Sequence, residues 1–141
     1  MVGKDFIDVA KSLQKNTSEP FWRSATSRAY YGAFNHARET LDKLKIPIPS
    51  NAEAHERIIR CLNNASNNDL AAAATSLGTL RTSRNHADYL DLYSGQKQAT
   101  LDITLAEIIV NQIDKSTSNS GNIKLIKTAI FSYLTKTNQL S

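Results

Sequence analysis

The sequence contains few of the residues that build disulfide-rich, zinc-binding or all-β proteins. Its one cysteine, Cys61, excludes an internal disulfide bond and a cysteine-rich metal site. Five glycines and three prolines in 141 residues are too few for the frequent turns of an all-β fold. Aromatic residues make up only 7% of the chain and alanine is abundant, so closely packed helices are favoured over a sheet.

The sequence also lacks any hydrophobic run that approaches the roughly 18 residues needed to cross a bilayer. Its N-terminal segment MVGKDFIDVAKSLQK is amphipathic and does not contain the apolar core of a signal peptide. We therefore expect a soluble cytoplasmic protein without a membrane partner. A net charge of +4, from 17 basic and 13 acidic residues, permits a nucleic-acid partner but does not require one.

Helical periodicity runs along almost the whole chain and predicts an all-α protein. The chain is 40% apolar, which is enough to build a core. The predicted helices cover about 4–15, 19–44, 51–63, 69–88, 96–115 and 122–137. We expect a helical domain over 1–115, a polar linker over 116–121 and a C-terminal amphipathic helix within 122–141. That last helix either docks on the domain or binds a partner.

The fourth predicted helix begins with an apolar stripe that becomes polar in the same direction of the helical wheel. The apolar residues are Leu70, Ala73, Ala74 and Leu77, and the polar residues within roughly 60° of them are Arg81, Arg84, Asn85 and Asp88. Because buried charge is costly unless it is paired, this cluster is paired internally, solvated in a cleft or shared with a partner subunit. In the purely structural interpretation, Arg84 and Asp88 form an i,i+4 pair and Asn85 bonds a loop carbonyl.

The second predicted helix carries a polar face opposite its alanine stripe. Arg28, Tyr31, Asn35 and Arg38 follow one another on that face at spacings of three and four residues. This face is either an ordinary solvated surface or an interface on which Tyr31 stacks against a base. Arg28, Tyr31 and Arg38 are therefore candidate nucleic-acid-binding residues, together with Arg81.

The three histidines receive different interpretations. His36 lies on the apolar stripe of the second helix and is expected to be a core histidine, whereas His55 is expected to be ordinary surface. His86 is the candidate for chemistry, although on a continuous helix it points about 160° away from Leu70. No two histidines have metal-ligand spacing with a carboxylate, so we expect neither a metal site nor a cofactor.

Two stretches of the sequence resemble HEPN-domain proteins, which are helical nucleotide-binding domains. SRAYYGAFNHARETL (27–41) is similar to the long second helix of that family. LRTSRNHADYL (80–90) is similar to the helix-end motif of a small prokaryotic subfamily that reads R-N-x-A-D-Y. AHERIIRCL (54–62) also fits, and the resemblance extends over about 4–115.

The resemblance implies an antiparallel four-helix bundle with an extra short helix, in a homodimer whose cleft carries the motif of both subunits. Many family members are metal-independent endoribonucleases of toxin type, often paired with a nucleotidyltransferase antitoxin. Their motif is an arginine, a polar residue, and a histidine four to six residues after the arginine. Arg84 and Asn85 match the first two positions, and the histidine position then falls at Tyr89 or just beyond. His86 fits that position when Arg81 is the motif arginine.

RNA cleavage without a metal uses the neighbouring 2′-hydroxyl as nucleophile and needs a base and a cation. Histidine suits the first role because its pKa is near neutral, and arginine suits the second through bidentate phosphate contacts. In this hypothesis Arg84 holds phosphate and His86 or Tyr89 transfers protons. Asn85 and Asp88 orient these side chains.

Two other hypotheses remain open. One is a non-catalytic HEPN module that binds RNA or a nucleotide through Arg81 and Arg84, or that serves as an interaction scaffold. The other is an unrelated helical bundle in which the motif is coincidental.

Overall fold

Regular secondary structure is entirely helical in the part of the chain that the computed structural model describes, residues 2–90, 93 and 95–139. The helices of these residues are α1 (Gly3–Gln14), α2 (Glu19–Lys43), α3 (Ala54–Asn63), α4 (Asn68–Tyr89), α5 (Gln96–Ser116) and α6 (Ser120–Lys136). This confirms the all-α prediction and the predicted order of helices. Within the same residues, no helix combines the length and the apolar character that crossing a membrane requires.

Two helix boundaries differ from the prediction for local reasons. α3 begins at Ala54 rather than near 51, because the Asn51 side chain accepts a hydrogen bond from the Glu53 N–H at 2.9 Å and closes a turn. α6 begins at Ser120, because the Asn119 side chain caps it by accepting from the backbone N–H of Asn122 at 2.7 Å. The α5–α6 connection therefore spans 117–119, which is shorter than the predicted linker over 116–121.

α2 lies at the centre of the helical packing and contacts α1, α3, α4 and α5. Its alanines Ala25, Ala29, Ala33 and Ala37 are fully buried, as the alanine stripe predicted. Small side chains on the central helix allow its neighbours to approach closely. α5 also contacts α1 and α4, so these four helices share one core. The antiparallel four-helix arrangement that the resemblance implies stays a prediction.

The C-terminal helix α6 is docked on this core. Its residues Ile126, Ile130 and Leu134 recur every fourth position and are buried. The helix contacts α3, and Leu125 on its opposite side stays exposed. Residues 140 and 141 of the predicted 122–141 segment lie outside the described residues, as does residue 1 of the predicted 1–115 domain.

α1 and α2 approach each other closely at two glycines, Gly3 and Gly32. A Cβ atom added to Gly32 would lie 2.7 Å from Cγ1 of Ile7 and 2.9 Å from the carbonyl oxygen of Gly3. Both distances are shorter than van der Waals contact, so any side chain at position 32 would push α1 away. Gly78 of α4 is different, because a Cβ atom there would meet only Cδ1 of Ile59 at 3.9 Å.

We expect Gly32→Ala to lower the free energy of unfolding by about 1–3 kcal/mol, the usual cost of overpacking a close contact. Gly78→Ala is the matched control and should raise that free energy by about 0.5–1 kcal/mol, because alanine favours helix over glycine. Denaturant unfolding of both variants measures the difference. Equal changes in the two variants would contradict the close approach of α1 and α2.

Candidate functional site

An arginine occupies a core-facing position near the end of α4. The buried residues of the helix continue from Leu77 through Leu80 to Ala87, and Arg84 stands between the last two at the same helical spacing. Its side chain is only 13% exposed. The structure therefore confirms that the apolar stripe of α4 becomes charged while it still faces inward.

Arg84 is held against three tyrosine rings. Its guanidinium carbon lies 5.2 Å from the ring centroid of Tyr30, 5.4 Å from that of Tyr31 and 5.8 Å from that of Tyr89. These are cation–π distances. Nη1 of Arg84 also lies 3.6 Å from Oδ2 of Asp88, which is the i,i+4 pair of the structural interpretation. Together these contacts fix the direction of the guanidinium group.

The polar neighbours of Arg84 on α4 do not share its burial. Asn85 and Asp88 are exposed, which corrects the prediction that both would lie along the inward stripe. The inward positions of the last turns are Arg84 and Ala87, and each following residue is rotated by about 100° towards solvent. His86 is also exposed on the unbroken helix, so one chain does not bring it to Arg84. Tyr89 is 73% exposed.

A groove of about 510 Å³ lies beside Arg84, between α1, α2 and the end of α4. Its described lining residues are Val9, Leu13, Ser24, Ser27, Arg28, Tyr31 and Asp88. Three of the predicted site residues, Arg28, Tyr31 and Asp88, thus come together in one place. Ser27 donates a hydrogen bond from Oγ to Oδ2 of Asp88 at 3.3 Å, which links α2 to α4 across the groove.

The two other predicted binding residues lie away from this groove. Arg38 donates from Nη2 to the carbonyl oxygen of Pro49 at 2.9 Å and so fastens the α2–α3 connection. Arg81 pairs through Nη1 with Oε1 of Glu56 at 3.1 Å. Both guanidinium groups therefore have a partner within the chain.

A buried Tyr30–His55 pair, which is not among the predicted site residues, lies behind Arg84. The Tyr30 hydroxyl and Nδ1 of His55 are 2.6 Å apart, and the imidazole stacks on Phe34 with ring centroids at 6.1 Å. His55 is only 6% exposed, which overturns its interpretation as ordinary surface. The available signal was its spacing of three from Ile58, because both residues lie on the buried face of α3.

The burial of this pair determines its charge. Desolvation, with the nearby Arg81 charge, lowers the pKa of His55 to about 4. Burial raises the pKa of Tyr30 to about 12 despite the charges of Arg81 and Arg84. At neutral pH both groups are therefore uncharged, and one hydrogen bond joins the Tyr30 hydroxyl to the neutral His55 imidazole. The pair supports the ring that carries Arg84 and is too buried to touch a ligand.

Arg23 of α2 holds the C-terminal end of α4. Its Nη1 donates to the carbonyl oxygens of Ala87 at 2.9 Å and Leu90 at 2.6 Å. A cation at this end of a helix satisfies free carbonyl groups and interacts favourably with the helix dipole. Arg23 also lies over the ring of Tyr93 at 5.2 Å. These contacts fix the turn of α4 that carries Arg84 and Asp88.

A buried carboxyl group anchors the start of α5 to α2. Thr26 donates from Oγ1 to Oδ2 of Asp102 at 2.8 Å, and Nε2 of Gln98 donates to Oδ1 at 2.9 Å. The Tyr93 hydroxyl lies 2.6 Å from the same Thr26 oxygen. Burial raises the pKa of Asp102, although hydrogen bonds from Thr26, Gln98 and Ser83 oppose this rise.

The remaining histidine, His36, has a structural partner. Nε2 of His36 lies 2.7 Å from Oδ1 of Asp114, at the edge of the core.

Among the side chains of residues 2–90, 93 and 95–139, no three of His, Cys, Asp or Glu lie close enough together to hold a metal ion. The chain matches no protein-family model, no curated protein and no solved structure.

Proposed function

We propose that this chain is a HEPN-like helical module that binds single-stranded RNA or nucleotides without cleaving them. The observation that carries the proposal is the meeting of Arg28, Tyr31 and Asp88 in one groove beside Arg84. The family resemblance of 27–41 and 80–90 supports it, because both stretches contribute residues to this place.

The groove offers the contacts that a nucleotide chain requires. Guanidinium groups bind phosphate through planar, bidentate hydrogen bonds. Arg28 is exposed, so its guanidinium group is accessible to a phosphate. A tyrosine ring provides a stacking surface for a base, and stacking is worth about 1–3 kcal/mol per base. Tyr31 supplies such a ring on the groove wall.

Binding is favoured over cleavage because the groove lacks a suitable base among its described lining residues. None of these residues is a histidine. His55 is near enough to Arg81 and Arg84 to interact with their charges. It is buried, however, and desolvation lowers its pKa to about 4. A group of that kind neither reaches a 2′-hydroxyl nor takes its proton efficiently at neutral pH.

We expect Arg28→Gln to weaken the binding of single-stranded RNA and to flatten its salt dependence. Losing one phosphate contact reduces the slope of log K against log salt by about 0.7 for a single strand. Arg60→Gln is the matched control, because Arg60 is an exposed arginine of α3 that lines a different groove. Fluorescence anisotropy at several salt concentrations measures both slopes. A wild-type protein that binds no RNA even at low salt would refute the proposal.

The second candidate is a toxin-type endoribonuclease that acts in a homodimer cleft and is controlled by a nucleotidyltransferase-type antitoxin. It is favoured by the exposure of His86, which follows Arg81 by five residues and is accessible to a second copy of the chain. This candidate predicts cleavage of mixed RNA by the pure protein in the presence of a chelator, and loss of cleavage in His86→Ala. Binding without turnover under the same conditions supports the first candidate.

A further inference from the structure

The groove beside Arg84 contains one acidic and one basic side chain among its described lining residues. Asp88 enters from the end of α4, and Arg28 enters from α2. Val9 and Leu13 of α1 add an apolar wall. A volume of about 510 Å³ lies within the range of small-molecule sites, which is roughly 300–1,000 Å³. A ligand that complements the apolar, basic and acidic residues of this groove needs a flat apolar body, an anionic group and hydrogen-bond donors directed at a carboxylate.

We propose that the groove selects guanine, so that its ligand is a guanine nucleotide or a guanosine within a single strand. This inference rests on the proposed RNA- or nucleotide-binding function and specifies which base is recognised. Among the RNA bases, guanine alone presents two adjacent donors, N1–H and the 2-amino group, on its Watson–Crick edge. The two oxygens of the Asp88 carboxylate accept both donors side by side, while Arg28 binds the phosphate and Tyr31 stacks on the base.

The existing contacts of Asp88 leave it able to accept these bonds. Its Oδ2 receives a hydrogen bond from Ser27 at 3.3 Å and faces Nη1 of Arg84 at 3.6 Å. A carboxylate offers about four lone-pair sites, so two such contacts do not saturate it. Ser27 and Arg84 also fix the direction of the carboxylate, which a bidentate acceptor needs. Asp88 is therefore a specificity-determining residue of this site.

Comparison of GMP with IMP tests the inference without any substitution. Inosine has the same shape and the same N1–H as guanine but lacks the 2-amino group. Titration calorimetry on the full chain should give a dissociation constant for GMP at least about tenfold below that for IMP or AMP, since a bidentate base contact discriminates by roughly this factor. Measurable binding of all three nucleotides with equal affinity would overturn the inference.

Two variants then assign the preference to the carboxylate. In Asp88→Asn the ratio of IMP to GMP dissociation constants should fall to about one, because the amide replaces one acceptor by a donor. Asp69→Asn is the matched control on the same helix, where the Asp69 side chain is 42% exposed and pairs with Lys115 at 3.6 Å. The control should keep the wild-type ratio. An undiminished ratio in Asp88→Asn would overturn the inference.

Short oligouridine strands with one central guanosine or one central adenosine distinguish the two sources of the base. A guanosine preference in the strand without binding of GMP identifies RNA as the ligand, and the reverse result identifies the free nucleotide; both support guanine selection. Salt-sensitive binding of the two strands with equal affinity leaves the proposed function standing and overturns guanine selection. Absence of binding to both strands and to all nucleotides refutes the proposed function itself.

Discussion

An Arg84→Met variant is expected to be at least as stable as the wild type and to bind single-stranded RNA about tenfold to a hundredfold more weakly. Arg84 occupies an inward position between Leu80 and Ala87, and its buried Nε has no hydrogen-bond partner among the described residues. Methionine retains the unbranched stem and makes favourable contacts with aromatic rings. Replacing a buried charge by an apolar side chain of similar size is often neutral or stabilising.

The loss of RNA binding follows from the same substitution. In the proposed function Arg84 supplies a second guanidinium group for phosphate, because it lies beside Tyr31 and Asp88 of the groove wall. A charge-assisted hydrogen bond to phosphate is worth about 1.5–3 kcal/mol, which corresponds to the expected fold-change in affinity. Arg84→Lys separates charge from shape, because lysine retains the charge but lacks the planar group that lies on Tyr30, Tyr31 and Tyr89. We expect its affinity to lie between those of the wild type and Arg84→Met.

Thermal unfolding and RNA titration of the same preparations measure both effects. A strong loss of stability in Arg84→Met with unchanged RNA affinity would show that the arginine serves the fold alone. The expected result, a stable protein that no longer binds RNA, would show that Arg84 is placed at this inward position for function.

The second large effect concerns pH. Wild-type protein should lose about 3 kcal/mol of stability through His55 as the pH falls from 6.5 to 4. Desolvation lowers the pKa of His55 from 6.5 to about 4 in the folded chain. The unfolded chain therefore binds more protons throughout this interval, and proton binding stabilises the unfolded state. The loss corresponds to 1.36 kcal/mol for each pH unit between the two values.

His55→Asn isolates this contribution. Asparagine retains a hydrogen-bonding group for the Tyr30 hydroxyl near the position of Nδ1 and does not titrate. Asp102 and Asp114 also have shifted pKa values, but both residues are present in the wild type and in His55→Asn, so their effects cancel in the comparison. Burial raises the pKa of Asp102, so its contribution decreases as the pH rises. The pKa of Asp114 is lowered because hydrogen bonds from His36 and Lys4 outweigh burial, and its contribution is lost at lower pH.

Denaturant unfolding of the wild type and His55→Asn at several pH values gives the difference in slope. The wild type should be steeper between pH 4 and 6.5, and an NMR titration of the His55 imidazole should give a pKa near 4. Parallel curves, or an imidazole that titrates near 6.5, would contradict the burial of His55.

The sequence alone was sufficient to predict the features of this protein that depend on one helix at a time. Helix order, the alanine stripe of α2 and the inward direction of Arg84 all follow from periodicity, which neighbouring residues determine. The helical wheel alone does not predict that Arg84 is buried while Asn85 is exposed. The buried edge of the last turns is marked by Ala87, and the burial of Ala87 depends on the neighbouring helices.

Features that join separate helices were not predictable in the same way. Tyr30 and His55 are 25 residues apart, and Arg23 bonds carbonyl groups more than 60 residues away. Such pairs depend on how the helices are placed relative to one another, which no local pattern specifies. The place of His55 at the start of α3 therefore predicts a surface position, although its spacing of three from Ile58 indicates the buried face.

Ultraviolet cross-linking of single-stranded RNA to the full chain, with mass-spectrometric mapping of the modified residues, tests the central claim most directly. We predict cross-links at Tyr31 and in the peptides that contain Arg28 and Asp88, because these residues line the groove beside Arg84. Cross-links confined to α3 or α6, with the groove peptides unmodified, would contradict the account.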